Sequence, residues 1–359
     1  MSLQQPSRRQ LLGAAGVLVA GATLPAASHA AQAPAAPAGR LKKIGLEEHF
    51  ILPDFLGYLA ETKQNIRDEL FARAVPALSD FGDRRLSLMD ANGVDFVVLS
   101  LSGPGVQIEK DTATAVRLAR SANDRLAKEV QKQPTRYGGF AHLAMQDPAG
   151  AADELERCVK ELGFPGAMIN GATNGVYLDD RRYDIFWERA AALGAPIYIH
   201  PANPIDRPSM YADHPELWGP TWSWAAETCT HAMRLIFSGV FDRHPGAKVI
   251  LGHMGETLPI QLWRLDSRYP ISHQRYEIRK RPSDYCRENI FITTSGVCSD
   301  PAVRCALDSL GPRNVMFSID YPFENTQVAC DWIEHSTISP AERQAVAHGN
   351  AAALLKLKV

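Results

Sequence analysis

Residues 42–50 read KKIGLEEHF. A short β-leaning run, KKIGL (42–46), stops at two glutamates and a histidine, so this stretch bears on both the fold and the chemistry. Seven more runs of the same kind follow: VDFVVLS (94–100), YGGFAHL (137–143), GAMIN (166–170), APIYIH (195–200), AKVILG (247–252), NIFITTS (289–295) and NVMFSID (314–320). Amphipathic patterns lie between them. DRRLSLMDANG (83–93) offers Leu86, Leu88 and Met89 as one face and stops at Asn92-Gly93. TATAVRLARSANDRLAKEVQKQ (112–133) repeats apolar positions at 116, 119, 126 and 130 and ends before Pro134. PAGAADELERCVKELG (148–163) opens on a proline suited to a first helical turn and closes on a glycine.

Strands alternating with helices imply parallel βαβ units. Eight such strands over about 300 residues are the count and size of a (β/α)8 barrel of the TIM type, an α/β fold. An open doubly wound sheet is the alternative, but no G-x-G-x-x-G opens the first helix.

The whole chain has 359 residues, 45% hydrophobic and 22% charged, which is enough to bury a sizeable core. With 38 basic and 40 acidic side chains, and no basic stripe interleaved with aromatics, no nucleic-acid partner is expected. The first thirty residues differ in kind. Arg8 and Arg9 precede an apolar run from Leu11 to Leu24, Ser28-His29-Ala30 supplies small residues for cleavage, and no acidic residue occurs before Glu47. The run falls short of the roughly 18–20 residues that span a bilayer. Residues 1–30 therefore read as an export signal of the twin-arginine type, with an uncleaved N-terminal anchor as the alternative. Residues 31–41 read as a Pro/Ala linker and 42–359 as one catalytic domain in the periplasm, with no stable membrane span once the signal is removed. The six cysteines stand alone at 158, 229, 286, 298, 305 and 330 and read as buried thiols.

In a barrel, catalytic groups sit at the C-terminal ends of strands. The first run ends in Glu47, Glu48 and His49, the fifth in His200, the sixth in His253 and the eighth in Asp320. Each signal alone is weak: E-x-H recurs by chance, a lone histidine after a strand is usually a packed one, and a strand-end aspartate often caps the next helix. Their convergence on one predicted rim points to a site for one divalent metal ion. Carboxylate and imidazole donors suit Zn2+ or Mn2+. By contrast, His29, His214, His244, His273, His335 and His348 fall in loops or helices and read as solvated.

Five stretches, GLEEHF (45–50), YIHPANP (198–204), GPTWSWAAET (219–228), GHMGETLP (252–259) and MFSIDYPFEN (316–325), resemble the metal-dependent aromatic acid decarboxylases of the amidohydrolase superfamily. The chain is similar to the γ-resorcylate and 2,3-dihydroxybenzoate decarboxylases from about Lys42 to Leu357. The resemblance implies that Glu47, His49, His200 and Asp320 bind the metal. It implies that Asp320 also protonates the ring, with His253 either facing substrate or standing just behind the metal ligands, and Glu256 orienting it. Arg264 matches a position that reaches substrate in a neighbouring subunit, and a surface ion pair is the plain alternative. His231 matches a family histidine and reads as a packing residue. Phe50, Trp222 and Tyr321 are candidates to wall the ring. The substrate implied is a small hydroxybenzoate-type acid, and the assembly a homodimer or homotetramer. A metal hydrolase of an ester, lactone or amide, and a non-catalytic carrier, are the competing readings. Ala202, after His200-Pro201, stands where many relatives carry arginine.

Overall fold

A computed structural model describes residues 40–359. The expected signal peptide and most of the linker, with His29, lie outside the described residues. Arg40 and Leu41, assigned to the linker, belong to the folded body instead: Arg40 pairs with Asp95, and Leu41 packs on the core.

Eight parallel strands follow in chain order: β1 Ile44–Phe50, β2 Phe96–Leu101, β3 Tyr137–His142, β4 Gly166–Asn170, β5 Ile197–His200, β6 Val249–Leu251, β7 Ile290–Thr293 and β8 Val315–Met316. Each hydrogen-bonds to the next, giving the sheet order 1 to 8 of a TIM-type barrel with helices outside. Every expected strand is present. β8 is much shorter than NVMFSID suggests, because the Phe317 N–H turns to the Val346 carbonyl and Asp320 enters the left-handed region at φ +76°. The seam between first and last strands is a single bridge, Glu48 to Tyr321, where the His49 N–H meets the Tyr321 carbonyl at 2.8 Å.

Two apolar layers share the strands. Ile44, Leu46, Phe96, Val98, Phe140, Met168, Tyr198, Ile250 and Met316 fill the barrel interior. The opposite faces pack on the helices in a larger cluster that includes Phe50, Val97, Leu99, Ile169, Ile199 and Leu251. Burial on both faces explains why the strands read as continuous apolar runs rather than alternating ones.

The helices follow their caps. Asp111 accepts the Thr114 N–H at the start of Thr112–Lys132, and Asp147 accepts the Gly150 N–H ahead of Pro148–Lys160. The buried stripe of Thr112–Lys132 runs through Ala115, Leu118, Ala119, Ala122 and Leu126, leaving Val116 exposed. Alanines make up three of those five positions, which a count of large apolar residues misses. In Asp83–Ala91 the buried side chains are Met89 and, unexpectedly, Arg85, while Leu86 and Leu88 are only partly covered. Among the described residues, no helix is long and apolar enough to cross a membrane.

Candidate metal centre and active site

β1 carries an extra residue between Gly45 and Glu48 relative to β2. Such a bulge lets two successive side chains face one way. Leu46 thus joins the interior layer, while the next residue, Glu47, contacts Tyr198 from the same layer. Glu47 and His49 then reach into the barrel mouth. Glu48 and Phe50 turn outward.

Glu47, His49 and His200 each offer a ligand atom, and these atoms lie within 4.8 Å of one another. All three residues are buried. Both imidazoles are oriented by their other nitrogen: His49 Nδ1 sits 3.1 Å from Ser100 Oγ, and His200 Nδ1 sits 2.8 Å from the Pro201 carbonyl. Each therefore presents Nε2 to the cavity. Glu47 Oε2 accepts hydrogen bonds from Tyr198 Oη at 2.5 Å and from Ser295 Oγ. Gly252 makes this approach possible, since a Cβ there would stand 2.6 Å from Glu47 Oε2.

Asp320 is not part of that mutual set but stands beside it. Its Oδ1 is 3.2 Å from His49 Nε2, and its Oδ2 is 3.5 Å from His253 Nε2. His253 Nε2 also lies 3.8 Å from Glu47 Oε1, and its Nδ1 pairs with Glu256 Oε1 at 2.8 Å. The turn that aims His253 is strained, with positive φ at His253, Met254, Gly255 and Glu256. Such conformations cost about 1–3 kcal/mol for each non-glycine residue and concentrate at functional sites.

The electrostatics follow from this crowding. Burial pushes the Glu47 carboxyl above its usual range, against the pull of His253 and His49. Burial also raises Asp320, but the imidazoles of His253 and His49 outweigh it and hold that carboxyl well below its ordinary value. His200 is driven well below an ordinary histidine by burial and by His49. For His253, burial opposes the cation, yet Glu47, Glu256 and Asp320 together raise it well above.

These residues fit a divalent cation. Glu47 Oε1, His49 Nε2 and Asp320 Oδ1 are buried without hydrogen-bond partners, a cost of about 1–3 kcal/mol each if nothing bound there. A cation satisfies them at once and stabilises the glutamate's charge. No thiolate takes part: Cys158, Cys229, Cys286 and Cys330 are buried thiols, as expected, whereas Cys298 is exposed and Cys305 half-buried.

A cavity of about 1270 Å³ opens at this end of the barrel, lined among others by His200, His253, Asp320, Trp222, Trp224, Tyr321 and Phe323. Trp222 is half-exposed at its rim, and Ala202 also lines it. Phe50 does not. It faces the helices and packs on Phe81 with ring centroids 5.3 Å apart, because strand alternation turns it away from His49. Phe323, 5.9 Å from the His49 ring, occupies the place expected of it. Arg264 is exposed on the helix Leu258–Arg268 and does not line its own chain's cavity. His231 is a packed residue whose Nε2 accepts the Leu178 N–H. His244 is half-buried against Asp184 and His348 is half-buried too, so neither is fully solvated.

Tyr198, Ser295 and His142 escaped the sequence reading. Tyr198 lies two residues before His200 on one strand, so alternation alone places both on the inner face. His142 ends β3 but is structural: it accepts the Val106 N–H at 3.0 Å, and burial lowers its pKa to about 3.

Barrel, mixed carboxylate–imidazole set and rim histidine together define a mononuclear metal-dependent barrel enzyme. The amidohydrolase family model matches residues 49–357, and the chain belongs to that family. It is 44% identical over 324 residues to γ-resorcylate decarboxylase of Polaromonas sp. strain JS666, covering 88% of this chain and 98% of the relative. A solved structure of 2,6-dihydroxybenzoate decarboxylase complexed with 2,6-dihydroxybenzoate superposes with a TM-score of 0.83 at 42% identity, covering 88% of this chain and 99% of that one. The dihydroxybenzoic acid decarboxylase of Polaromonas sp. JS666, solved with bound manganese and the inhibitor 2-nitroresorcinol, gives 0.83 at 44% identity, covering 89% and 98%.

Proposed function

We propose that this chain is a metal-dependent, non-oxidative carboxy-lyase acting on a hydroxybenzoate. One observation carries the reading: a buried carboxyl, Asp320, lies between the Glu47–His49–His200 set and the His253–Glu256 pair at the base of an aromatic-lined cavity. Glu47, His49 and His200, with Asp320 alongside, would hold a divalent ion, which would supply Lewis-acid chemistry to an anionic hydroxybenzoate. Mn2+ is the ion favoured, with Zn2+ suited to the same donors.

The protein's own groups manage the proton. The costly step is protonation of the ring carbon that bears the carboxylate, because it breaks aromaticity. Asp320, ionised at rest beside the two imidazoles, takes that proton from cationic His253 and delivers it to the ring, and its fixed position lowers the barrier through proximity and general acid catalysis. The carbon–carbon bond then breaks, its electron pair restores the ring, and CO2 departs. His253, kept cationic by its carboxylate neighbours, is the source of that proton and is recharged from solvent. Trp222, Trp224 and Phe323 flank the ring and limit water.

The test is CO2 release from a panel of hydroxybenzoates, run beside esters and lactones. Chelation should abolish turnover, and Mn2+ or Zn2+ should restore it. Ester hydrolysis without CO2 release, or full activity after exhaustive chelation, overturns the reading.

The assembly follows as a homodimer or homotetramer. Support comes from Ile260 and Trp263, exposed on one face of the helix Leu258–Arg268 beside Arg264. Sedimentation of Trp263→Glu, expected to run smaller, checks it. The Arg8-Arg9 pair and the apolar run 11–24 support twin-arginine export to the periplasm. Cell fractionation of an Arg8→Lys/Arg9→Lys variant, expected to stay in the cytoplasm, tests that.

A further inference from the structure

We propose that Glu48 and Arg85 form a positioning brace behind the active centre that sets the orientation of Asp320. The proposal rests on the decarboxylase reading for its kinetic consequence and on geometry alone for its structural one. Glu48 neighbours Glu47 in sequence but turns out of the barrel and folds back along β1. That path exists because residue 45 is glycine: a Cβ there would lie 2.4 Å from Glu48 Oε1.

The buried Glu48 carboxyl is directed at the segment around Asp320. Oε1 accepts the Ile319 N–H at 3.0 Å and the Ser318 hydroxyl at 3.1 Å, and Oε2 accepts the Tyr321 N–H at 3.2 Å. The backbone N–H groups before and after Asp320 thus end on one side chain. Between them Asp320 holds φ +76°, a conformation an aspartate keeps only when its surroundings over-determine it.

Ordinary sheet pairing does not supply that constraint. β8 has two residues, and the seam to β1 has one bridge. Side chains replace the missing ladder: Ser318 Oγ accepts the Leu46 and Glu47 N–H groups at 3.1 and 2.6 Å. Arg85 completes the brace from the helix Asp83–Ala91. Its guanidinium donates to the His49 carbonyl at 2.6 Å and lies 4.5 Å from the centre of the Tyr321 ring. It therefore ties a metal-set residue to the residue that follows Asp320. A 1 Å misplacement of a catalytic group costs about 10²-fold in rate, so this seam has direct leverage on turnover.

The experiment uses metal-loaded full-length protein and Glu48→Gln, which keeps the shape but leaves one acceptor oxygen. We expect kcat to fall about 10–100-fold while metal content, KM and affinity for 2-nitroresorcinol stay within about threefold. Amide hydrogen exchange in the peptide covering 318–323 should quicken about tenfold, with strands β2 to β6 unchanged. Wild-type kcat, or a loss matched by loss of metal, overturns the brace. Unchanged exchange at 318–323 overturns it even if no hydroxybenzoate is decarboxylated by the wild type, an outcome that would separately sink the activity. Should Glu48→Gln fail to fold, Ser318→Ala removes a lesser part of the seam. There a threefold to tenfold lower kcat (~1 kcal/mol) supports the brace and an unchanged kcat overturns it.

Discussion

His253 Nδ1 lies 2.8 Å from Glu256 Oε1, and this contact leaves Nε2 facing Asp320 Oδ2 at 3.5 Å. The pair spans one strained turn, so a residue three positions away sets the orientation of the imidazole and, with Glu47 and Asp320, holds its charge. Glu256→Gln keeps a partner for Nδ1 but removes its charge. It should lower kcat about 10–100-fold while metal content stays at the wild-type level. Steady-state kinetics with metal analysis on the same sample checks this, and a wild-type kcat would free Glu256 of the role.

Tyr198→Phe should act on metal affinity instead. The Tyr198 hydroxyl donates to Glu47 Oε2 at 2.5 Å and also contacts Thr293 Oγ1 at 2.7 Å, deep inside the barrel. Removing it leaves the glutamate held by Ser295 alone on that side. Outer partners of metal ligands are worth about 10–100-fold in affinity. Competition against a fluorescent chelator should show a loss of that size, with near-normal kcat once Mn2+ is saturating.

Glu227, away from the metal set, gives a pH signature in stability. Burial pushes its carboxyl from 4.5 up to about 8, with Tyr177 and Thr228 opposing the rise. The folded carboxyl therefore keeps its proton where the unfolded one has lost it. Its stabilising contribution is complete below pH 4.5 and is lost as pH climbs toward 8. Glu227→Gln removes that titration. The variant should gain on the wild type by about 1.4 kcal/mol per pH unit between pH 5 and 8. Urea unfolding at pH 5, 6.5 and 8 with metal present measures it; a flat difference would refute the assignment.

Much of the barrel and of its rim is legible in the sequence because both are local signals. Each strand is a short apolar run, and Glu47, His49, His200, His253 and Asp320 sit at or just past the ends of four of them. What stays hidden is non-local. Phe50 adjoins His49 in the sequence, but neighbours on a strand face opposite ways, so it packs on the helices. Arg85 looks like a solvated helix residue until Tyr321 and the His49 carbonyl arrive from opposite ends of the chain. The truncation of β8 depends on Val346 capturing the Phe317 N–H, which no window around NVMFSID contains.

Asp320→Asn separates proton delivery from binding. The mutual set of ligand atoms comprises Glu47, His49 and His200, so three donors remain when Asp320 loses its charge. The asparagine keeps the side-chain volume and one oxygen, and the Glu48 contacts to Ile319 and Tyr321 do not involve the altered group. Metal content and 2-nitroresorcinol affinity should stay within a few-fold of the wild type. Turnover should not, because an amide cannot hand a proton to the ring, and general acid catalysis contributes about 10²–10⁴-fold. Single-turnover CO2 release read beside inhibitor titration distinguishes the two effects. Turnover within tenfold of the wild type would remove Asp320 as donor, and equal loss of metal and rate would make it a ligand instead.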